Sequence, residues 1–172
     1  MIISLLGYMG SGKSHIAKVL GGKLNYKVID LDQYIALQNN MTIPEIFSKK
    51  GEIYFRKQEK GCLEEILSVA ENAVVSLGGG TPAFYDNMKT INGASESVYL
   101  RATVATITSR LIPQKQKRPL IARISDDDLP EFIAKHLFER QVFYSQAKYT
   151  VSTDRKNPEE VSDKIILALQ NQ

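Results

Sequence analysis

The stretch Ile2-Ile3-Ser4-Leu5-Leu6-Gly7-Tyr8-Met9-Gly10-Ser11-Gly12-Lys13-Ser14 decides the fold that we expect for this chain. Its first five residues form a short apolar run typical of a buried strand. The octet from Gly7 to Ser14 fits the pattern G-x-x-x-x-G-K-[ST] of a phosphate-binding loop, or P-loop. A helix is predicted directly afterwards, over Ser14 to Leu20. A strand, a glycine loop and a helix in this order are the context in which the motif binds a nucleotide.

The residue types in the octet suit phosphate chemistry. Glycines at positions 7, 10 and 12 let backbone N–H groups surround a phosphate without interference from a Cβ atom. Lys13 brings a mobile positive charge to the outer phosphates, and the Ser14 hydroxyl suits a Mg²⁺ ligand. A glycine-rich turn without a ligand would explain the glycines, but it gives no reason for Lys-Ser at the end. We therefore predict that the loop binds a nucleotide, with Ser14 placed to contact Mg²⁺.

Length and composition indicate one globular domain. The chain has 172 residues, of which 43% are hydrophobic and 24% are charged, and its net charge is +3. So small a surplus does not indicate a nucleic-acid partner. Cys62 is the only cysteine and no run reaches membrane-spanning length, so we expect a reducing compartment, no membrane partner and a cytoplasmic location. We also expect a monomer.

Strand and helix patterns alternate along the whole chain. Strands are predicted over residues 2–6, 27–29, 73–77, 97–100 and 149–151, and helices over 14–20, 52–70, 103–111 and 129–144. A further helix is predicted through Tyr34, Ile35 and Leu37, and others start at Thr42 and Asn157. The basic segment 113–123 lacks periodicity and reads as a loop. Alternation of this kind predicts a parallel sheet with helices on both faces.

Two arginines stand where the helical pattern calls for apolar residues. Arg56 shares a helix face with Leu63 and Ile66, and Arg140 lies on the stripe that contains Leu137. A guanidinium group that points inward is costly unless it meets an anion. A salt bridge from Arg56 to a neighbouring glutamate, Glu59, is one explanation. In a chain with a P-loop, a pocket for an acidic substrate is the better one.

Polar and glycine residues follow two of the predicted strands. Asp30 and Asp32 leave the carboxyl end of the second strand, where ligands bind in open α/β sheets. One such acid can orient Mg²⁺ through water, and the other can accept hydrogen bonds from a substrate hydroxyl. Helix capping explains one of the two, but hardly both. The triplet Gly78-Gly79-Gly80 is either a flexible strand end or a place where a ligand meets backbone N–H groups.

The ordered set of motifs resembles the shikimate kinase family over essentially the whole chain. The matching segments are Gly7 to Ser14, Asp30-Leu31-Asp32, Phe55-Arg56, Gly78-Gly79-Gly80, Arg118-Pro119-Leu120, and Arg140 with Tyr144. The resemblance implies a three-layer α/β fold of the P-loop NTPase type, with a five-stranded parallel sheet of order 2-3-1-4-5. It implies one domain over residues 1–172, with substrate-binding helices at about 31–71 and a mobile lid at about 113–124. The resemblance further implies an activity for the chain, which is transfer of the ATP γ-phosphate to the 3-hydroxyl of shikimate in aromatic amino-acid biosynthesis.

The resemblance also implies roles at matching positions. Lys13, Asp32 and Arg118 would be catalytic, Asp32 as the acceptor of the hydroxyl proton. ATP would be bound by Gly10, Ser11, Gly12, Lys13, Ser14, His15, Arg110, Arg118, Arg155 and Pro158, and Mg²⁺ by Ser14 with Asp30 through water. Shikimate would be bound by Asp32, Phe55, Arg56, Gly78, Gly79, Gly80 and Arg140, with the two arginines clamping its carboxylate.

The chain departs from the family in two segments. The family's Arg-x-Pro-Leu-Tyr reads Arg140-Gln141-Val142-Phe143-Tyr144, so its proline is absent. The segment before Arg118 contains the additional residues Lys115 and Lys117. Kinases for gluconate or a nucleoside monophosphate remain alternatives from the residue types, and a regulatory nucleotide-binding module is a further one. A regulatory module would be expected to have lost Lys13, Asp32 or the arginines, and all of these residues are present.

Overall fold

Five strands form one parallel sheet in the computed structural model of the protein, which describes residues 1–171. The strands are β1 (Ile2–Leu6), β2 (Lys27–Asp30), β3 (Ala73–Ser76), β4 (Glu96–Arg101) and β5 (Tyr149–Ser152). Their order is β2-β3-β1-β4-β5, with every pair parallel. The predicted strand order and the predicted fold class are thus confirmed.

Eight α-helices surround the sheet within the described residues. They are α1 (Lys13–Leu24), α2 (Leu31–Asn39), α3 (Ile43–Lys50), α4 (Glu52–Val69), α5 (Asn87–Ala94), α6 (Val104–Leu111), α7 (Leu129–Tyr144) and α8 (Pro158–Gln170). Two helix starts are fixed by the residues that the sequence indicated. Thr42 and Asn157 each form a capping box with the glutamate three residues later, which satisfies N–H groups that the first turn leaves unpaired.

Two apolar cores hold the three layers together. On one face of the sheet, α1 and α8 bury Ile16, Leu20, Val161 and Ile165 against β1, β3 and β4. On the other face, the helices from α2 to α7 contribute the larger core, which includes Cys62. The central strand β1 is buried along its whole length, which is why its sequence is apolar without alternation.

Two segments differ from the sequence-based expectation. Helix α5 was not predicted, because Met88 and Ile91 are the only buried apolar residues among its eight and Gly93 weakens the pattern. The segment predicted as an irregular loop begins with a 3₁₀-helix, Ile112–Lys117. Helix α7, by contrast, has the predicted bounds, because Val142 in place of the family's proline keeps the backbone N–H that a helix needs.

The carboxyl ends of β1, β2 and β3 meet at one edge of the sheet. The P-loop follows β1, Asp30 ends β2, and the glycine triplet follows β3. Strand β1 lies between β3 and β4, and the strand order reverses there. The P-loop therefore begins in the crevice at the carboxyl end of β1, which is the usual position of a ligand in such sheets. Separately, none of the helices within residues 1–171 is long and apolar enough to cross a membrane.

Candidate active site

The P-loop has the backbone conformation that its glycines permit. Gly10 and Gly12 have φ values of 79° and 92°, in the left-handed region that side chains with a Cβ atom avoid. Helix α1 begins directly afterwards at Lys13, so its N-terminal N–H groups point toward the loop. The loop therefore offers a preformed position for an anion.

Lys13 is held in place by the loop itself. Its Nζ atom donates to the carbonyl oxygens of Gly7, at 2.7 Å, and of Tyr8, at 3.1 Å. Burial lowers the pKa of Lys13 to about 8, with Asp32 opposing that change and Arg118 adding to it. Within residues 1–171, Lys13 has no acidic partner at salt-bridge distance. An anion at the loop would provide this partner.

Ser14 and Asp30 lie together beside the loop. The Ser14 hydroxyl donates to Asp30 Oδ2 at 3.1 Å, while Asp30 Oδ1 accepts from the Gln33 N–H and caps α2. The capping role that the sequence left open thus belongs to Asp30. No group of three or more His, Cys, Asp or Glu side chains within residues 1–171 is arranged to hold a metal. Two oxygen ligands fit Mg²⁺, which keeps several waters and takes further oxygens from a nucleotide.

A cavity of about 510 Å³ extends from the P-loop along the sheet edge. Of the residues predicted to bind ATP or Mg²⁺, it is lined by Gly10, Gly12, Lys13, Ser14, His15, Asp30, Arg110, Arg118 and Pro158. Arg110 is fixed there by hydrogen bonds to the Thr153 hydroxyl and carbonyl, at 3.0 and 2.9 Å. Its flat guanidinium group and Pro158 offer two faces for a planar base.

Two predicted ATP-binding residues do not line this cavity. Ser11 is buried, and its hydroxyl has no hydrogen-bond partner within residues 1–171. Arg155 lines a separate groove with Asp154 and the start of α6. The sequence did not indicate that Arg155 lies outside the nucleotide cavity, because it is only three residues before Pro158, which does line that cavity.

Asp32 has a different environment from Asp30. It lies in the first turn of α2, and its carboxylate accepts no hydrogen bond within residues 1–171. Burial, with the negative charges of Asp30 and Glu59 next in importance, raises the pKa of Asp32 to about 6. At neutral pH the side chain is therefore ionised, yet it has a greater proton affinity than an ordinary aspartate.

A second cavity, of about 390 Å³, adjoins the first at Asp32. Both cavities are lined by Met9, Asp32, Gly78, Gly79 and Arg118. The second also contains Phe55 and Arg56 from α4 and Gly80, as the resemblance implies. Asp32 and Arg118 thus lie where the cavity at the P-loop meets the second cavity.

Arg56 has the acidic neighbour that the sequence suggested. Its Nη1 atom donates to Glu59 at 2.8 Å, so the predicted salt bridge exists. Glu59 is buried and also accepts from the Thr81 hydroxyl at 2.7 Å, which orients it. The same guanidinium group lines the cavity and lies 3.8 Å from the centre of the Phe84 ring. The salt bridge therefore holds the arginine at the pocket wall.

Arg140 meets no acidic side chain within residues 1–171. Its Nη1 atom donates to the Gly79 carbonyl oxygen at 3.3 Å, and its Cζ atom lies 5.7 Å from the centre of the Phe84 ring. Together with Arg56 it lines a third cavity, of about 200 Å³, which adjoins the second at Gly79 and Gly80. Two guanidinium groups around one small cavity favour a carboxylate ligand.

Two glycines of the triplet, Gly78 and Gly80, are favoured by space rather than by backbone angle, whereas a Cβ atom on Gly79 would meet only ordinary contacts at 3.6 Å. A Cβ atom on Gly80 would lie 2.9 Å from guanidinium nitrogens of both Arg56 and Arg140. A Cβ atom on Gly78 would lie 3.0 Å from Asp32 Oδ1. The triplet therefore lets the backbone approach the charged side chains of the pocket closely.

The basic segment places Arg118 over the cavities. Its Nε atom is buried and has no hydrogen-bond partner within residues 1–171. Lys115 does not face the site, because it donates to the Ile124 carbonyl oxygen and to Asp126. Of the segment's two additional lysines, Lys117 lines the second cavity. The mobility of the segment stays a prediction.

Several residues of the pocket were missed by the sequence-based reasoning. They are Tyr8, Met9, Ile43, Phe47, Phe84, Leu120 and His136. His136 was detectable, since it precedes Arg140 by one helical turn and so shares its face. Phe84 gave no signal, because it reaches the arginines from the end of a 3₁₀-helix, Thr81–Ala83, that the sequence did not predict.

Comparison with known proteins identifies the family. The family model described as shikimate kinase matches residues 9–170. A shikimate kinase of Flavobacterium johnsoniae is 44% identical over 165 residues, covering 95% of this chain and 96% of the relative. A shikimate kinase structure from Bacteroides thetaiotaomicron has a TM-score of 0.92 at 38% identity, covering 99% and 98% of the two chains. One from Acinetobacter baumannii, in complex with shikimate, has a TM-score of 0.89 at 29% identity, covering 99% and 94%. The chain belongs to the shikimate kinase family.

Proposed function

We propose that the protein transfers the γ-phosphoryl group of ATP to the 3-hydroxyl of shikimate, giving shikimate 3-phosphate and ADP on the route to chorismate. The observation that carries the proposal is the junction of the two main cavities at Asp32 and Arg118. One cavity has the cationic loop of a nucleotide site, and the other leads to two arginines suited to a carboxylate. Shikimate, found in complex with the Acinetobacter baumannii relative, combines that carboxylate with hydroxyl groups.

At the nucleotide end, the backbone of the P-loop and Lys13 bind the phosphates of ATP. Ser14, and Asp30 through water, would hold Mg²⁺, which would supply positive charge beside the phosphates. Arg110 and Pro158 enclose the adenine ring. Since little covalent chemistry falls to the protein in phosphoryl transfer, these contacts act by positioning ATP and by balancing its charge.

At the acceptor end, Arg56 and Arg140 clamp the carboxylate, and the N–H groups of Gly79 and Gly80 provide further donors. Phe55 lines the pocket of the ring. The carboxylate then fixes the ring so that its 3-hydroxyl faces the phosphate site beside Asp32. Bidentate contacts set this orientation, which a single point charge would leave undetermined.

Asp32 accepts the proton of the 3-hydroxyl while the oxygen of that hydroxyl forms a bond to the γ-phosphorus. The bond from that phosphorus to the β,γ-bridging oxygen breaks, and ADP leaves with the electron pair. Lys13 and Arg118 balance the charge on the transferring group. The raised pKa of Asp32, about 6, suits a base that accepts this proton at neutral pH.

An assay of ADP release with ATP and Mg²⁺ tests the proposal against shikimate, quinate, gluconate and nucleoside monophosphates. We expect turnover with shikimate well above that with the others, and phosphorus–proton NMR correlation should locate the phosphate on carbon 3. Preference for gluconate would support the alternative from the same residue types. Nucleotide binding without turnover of any acceptor would support a regulatory module.

The segment 113–124 acts in this proposal as a lid that keeps water from the γ-phosphate. Limited trypsin digestion tests its mobility at Lys117, because Lys115 is already paired and the bond from Arg118 to Pro119 resists trypsin. We expect cleavage in the protein alone, and protection by a non-hydrolysable ATP analogue together with shikimate. Equal cleavage with and without ligands would contradict a closing lid. A monomeric state and a cytoplasmic location also stay predictions.

A further inference from the structure

Tyr144 reaches the pocket from the last turn of α7, although its side chain is completely buried. Its hydroxyl donates to the carbonyl oxygen of Gly79 at 2.6 Å. The ring packs on Tyr99 of β4, with centroids 5.2 Å apart, so the hydroxyl has little freedom to move. A short hydrogen bond from so fixed a donor is suited to holding a backbone group in place.

The peptide group that Tyr144 contacts joins Gly79 to Gly80. In a trans peptide, the carbonyl of one residue and the N–H of the next point in opposite directions. Within residues 1–171 there is no cis peptide bond, and the N–H of Gly80 has no acceptor. Since Tyr144 holds the oxygen on one side, the unpaired N–H is directed to the other.

Gly80 is also adjacent to both arginines. The position that a Cβ atom would take lies 2.9 Å from guanidinium nitrogens of Arg56 and of Arg140. Gly80 therefore belongs to the region in which we place the carboxylate. A peptide between two glycines has more accessible conformations than any other, so its orientation before binding depends on a tether.

Arg140 alone is a poor tether for this peptide. Its hydrogen bond to the Gly79 oxygen is longer, at 3.3 Å, and a bound carboxylate competes for the same guanidinium group. The Tyr144 hydroxyl has no such competitor within residues 1–171, because its hydrogen bond is to Gly79 alone. Its contact is thus able to persist when substrate enters.

We infer that Tyr144 is a positioning residue for the acceptor substrate, which fixes the Gly79–Gly80 peptide so that the Gly80 N–H is directed at the ligand. The inference rests on the proposed function. It explains why a tyrosine, rather than another large apolar residue, ends the buried face of α7. Preorganisation of this kind raises affinity, because only the correctly oriented fraction of the protein binds.

The variant Tyr144→Phe removes the hydroxyl and keeps the ring. We expect the KM and Kd for shikimate to rise about fivefold or more, the ratio for one lost hydrogen bond. The KM for ATP and the Kd for ADP should stay within about twofold, because Tyr144 does not line the nucleotide cavity. A merely structural role would instead lower the melting temperature without this difference between ligands.

Tyr99→Phe is the matched control, since Tyr99 is also buried and packs on the same ring. Within residues 1–171 its hydroxyl forms no hydrogen bond to Gly79, so its loss should leave both KM values unchanged. Equal effects on shikimate and ATP in Tyr144→Phe, or the same selective effect in Tyr99→Phe, would overturn the inference. Wild-type turnover of shikimate tests the proposed function separately.

Discussion

The two ends of the active site are built in opposite ways. The nucleotide end takes most of its groups from one continuous segment, residues 7–14, and several of its donors are backbone N–H groups. The acceptor end combines Asp32 from α2, Arg56 from α4, Gly80 after β3 and Arg140 from α7. A continuous loop is set by local conformation, whereas the acceptor pocket depends on how four segments pack. Substitutions at the two ends should therefore have distinguishable effects.

Asp32→Asn, at the junction of the two ends, should have the largest effect. We expect turnover to fall about 10²- to 10⁴-fold, the usual range for a general base, because the amide cannot accept the hydroxyl proton. ATP binding, followed with a fluorescent nucleotide, should persist. A nearly silent substitution would mean that the Asp32 carboxylate does not accept the proton.

Lys13→Ala tests the nucleotide end by itself. We expect kcat to fall about 10²- to 10³-fold, comparable with the loss of one donor to a developing charge. Circular dichroism should report an unchanged fold, since Lys13 forms its hydrogen bonds only with the loop. Lys18→Ala, an exposed position on the same helix, should retain wild-type activity. A folded Lys13 variant with near wild-type turnover would refute the catalytic role.

Arg140→Lys tests the acceptor end by itself. The change keeps the charge but removes the planar pair of donors, so shikimate binding should weaken by about 2–4 kcal/mol. ATP binding should change far less, as titration of each ligand separately would show. Arg101→Lys, at an exposed position outside the cavities, is the matched control. Equal loss for both ligands would assign Arg140 a structural role.

Phe84→Leu should have the smallest effect of the four substitutions, and it tests whether the acceptor end can be perturbed without the nucleotide end. The ring of Phe84 lies 3.8 Å from Cζ of Arg56 and 5.7 Å from Cζ of Arg140. Loss of its π face should raise the KM for shikimate about two- to fivefold, consistent with a cation–π contribution of about 0.5–1 kcal/mol. Tyr85→Leu, on the exposed neighbouring ring, should leave that KM unchanged. An altered KM for ATP instead would show that the two ends are coupled through this ring.

Local patterns in the sequence determined the elements that depend on nearby residues. The apolar run before Gly7 predicted β1, the capping boxes at Thr42 and Asn157 predicted two helix starts, and alternation predicted the parallel sheet. Arg56 and Arg140 were detectable because charge on an apolar helix stripe contradicts helical periodicity. The strand order and the residue roles came from the family resemblance, since no local pattern specifies them.

Only the tertiary structure decided the contacts between distant segments. It assigned the capping of α2 to Asp30 and left Asp32 without a hydrogen-bond partner within residues 1–171. It placed Phe84 beneath both arginines, and it joined Tyr144 to a carbonyl oxygen 65 residues earlier in the chain. The physical reason is the distance along the chain over which each feature is determined. Backbone angles and caps depend on the nearest few residues, whereas the partners of a buried side chain depend on how whole helices pack against the sheet.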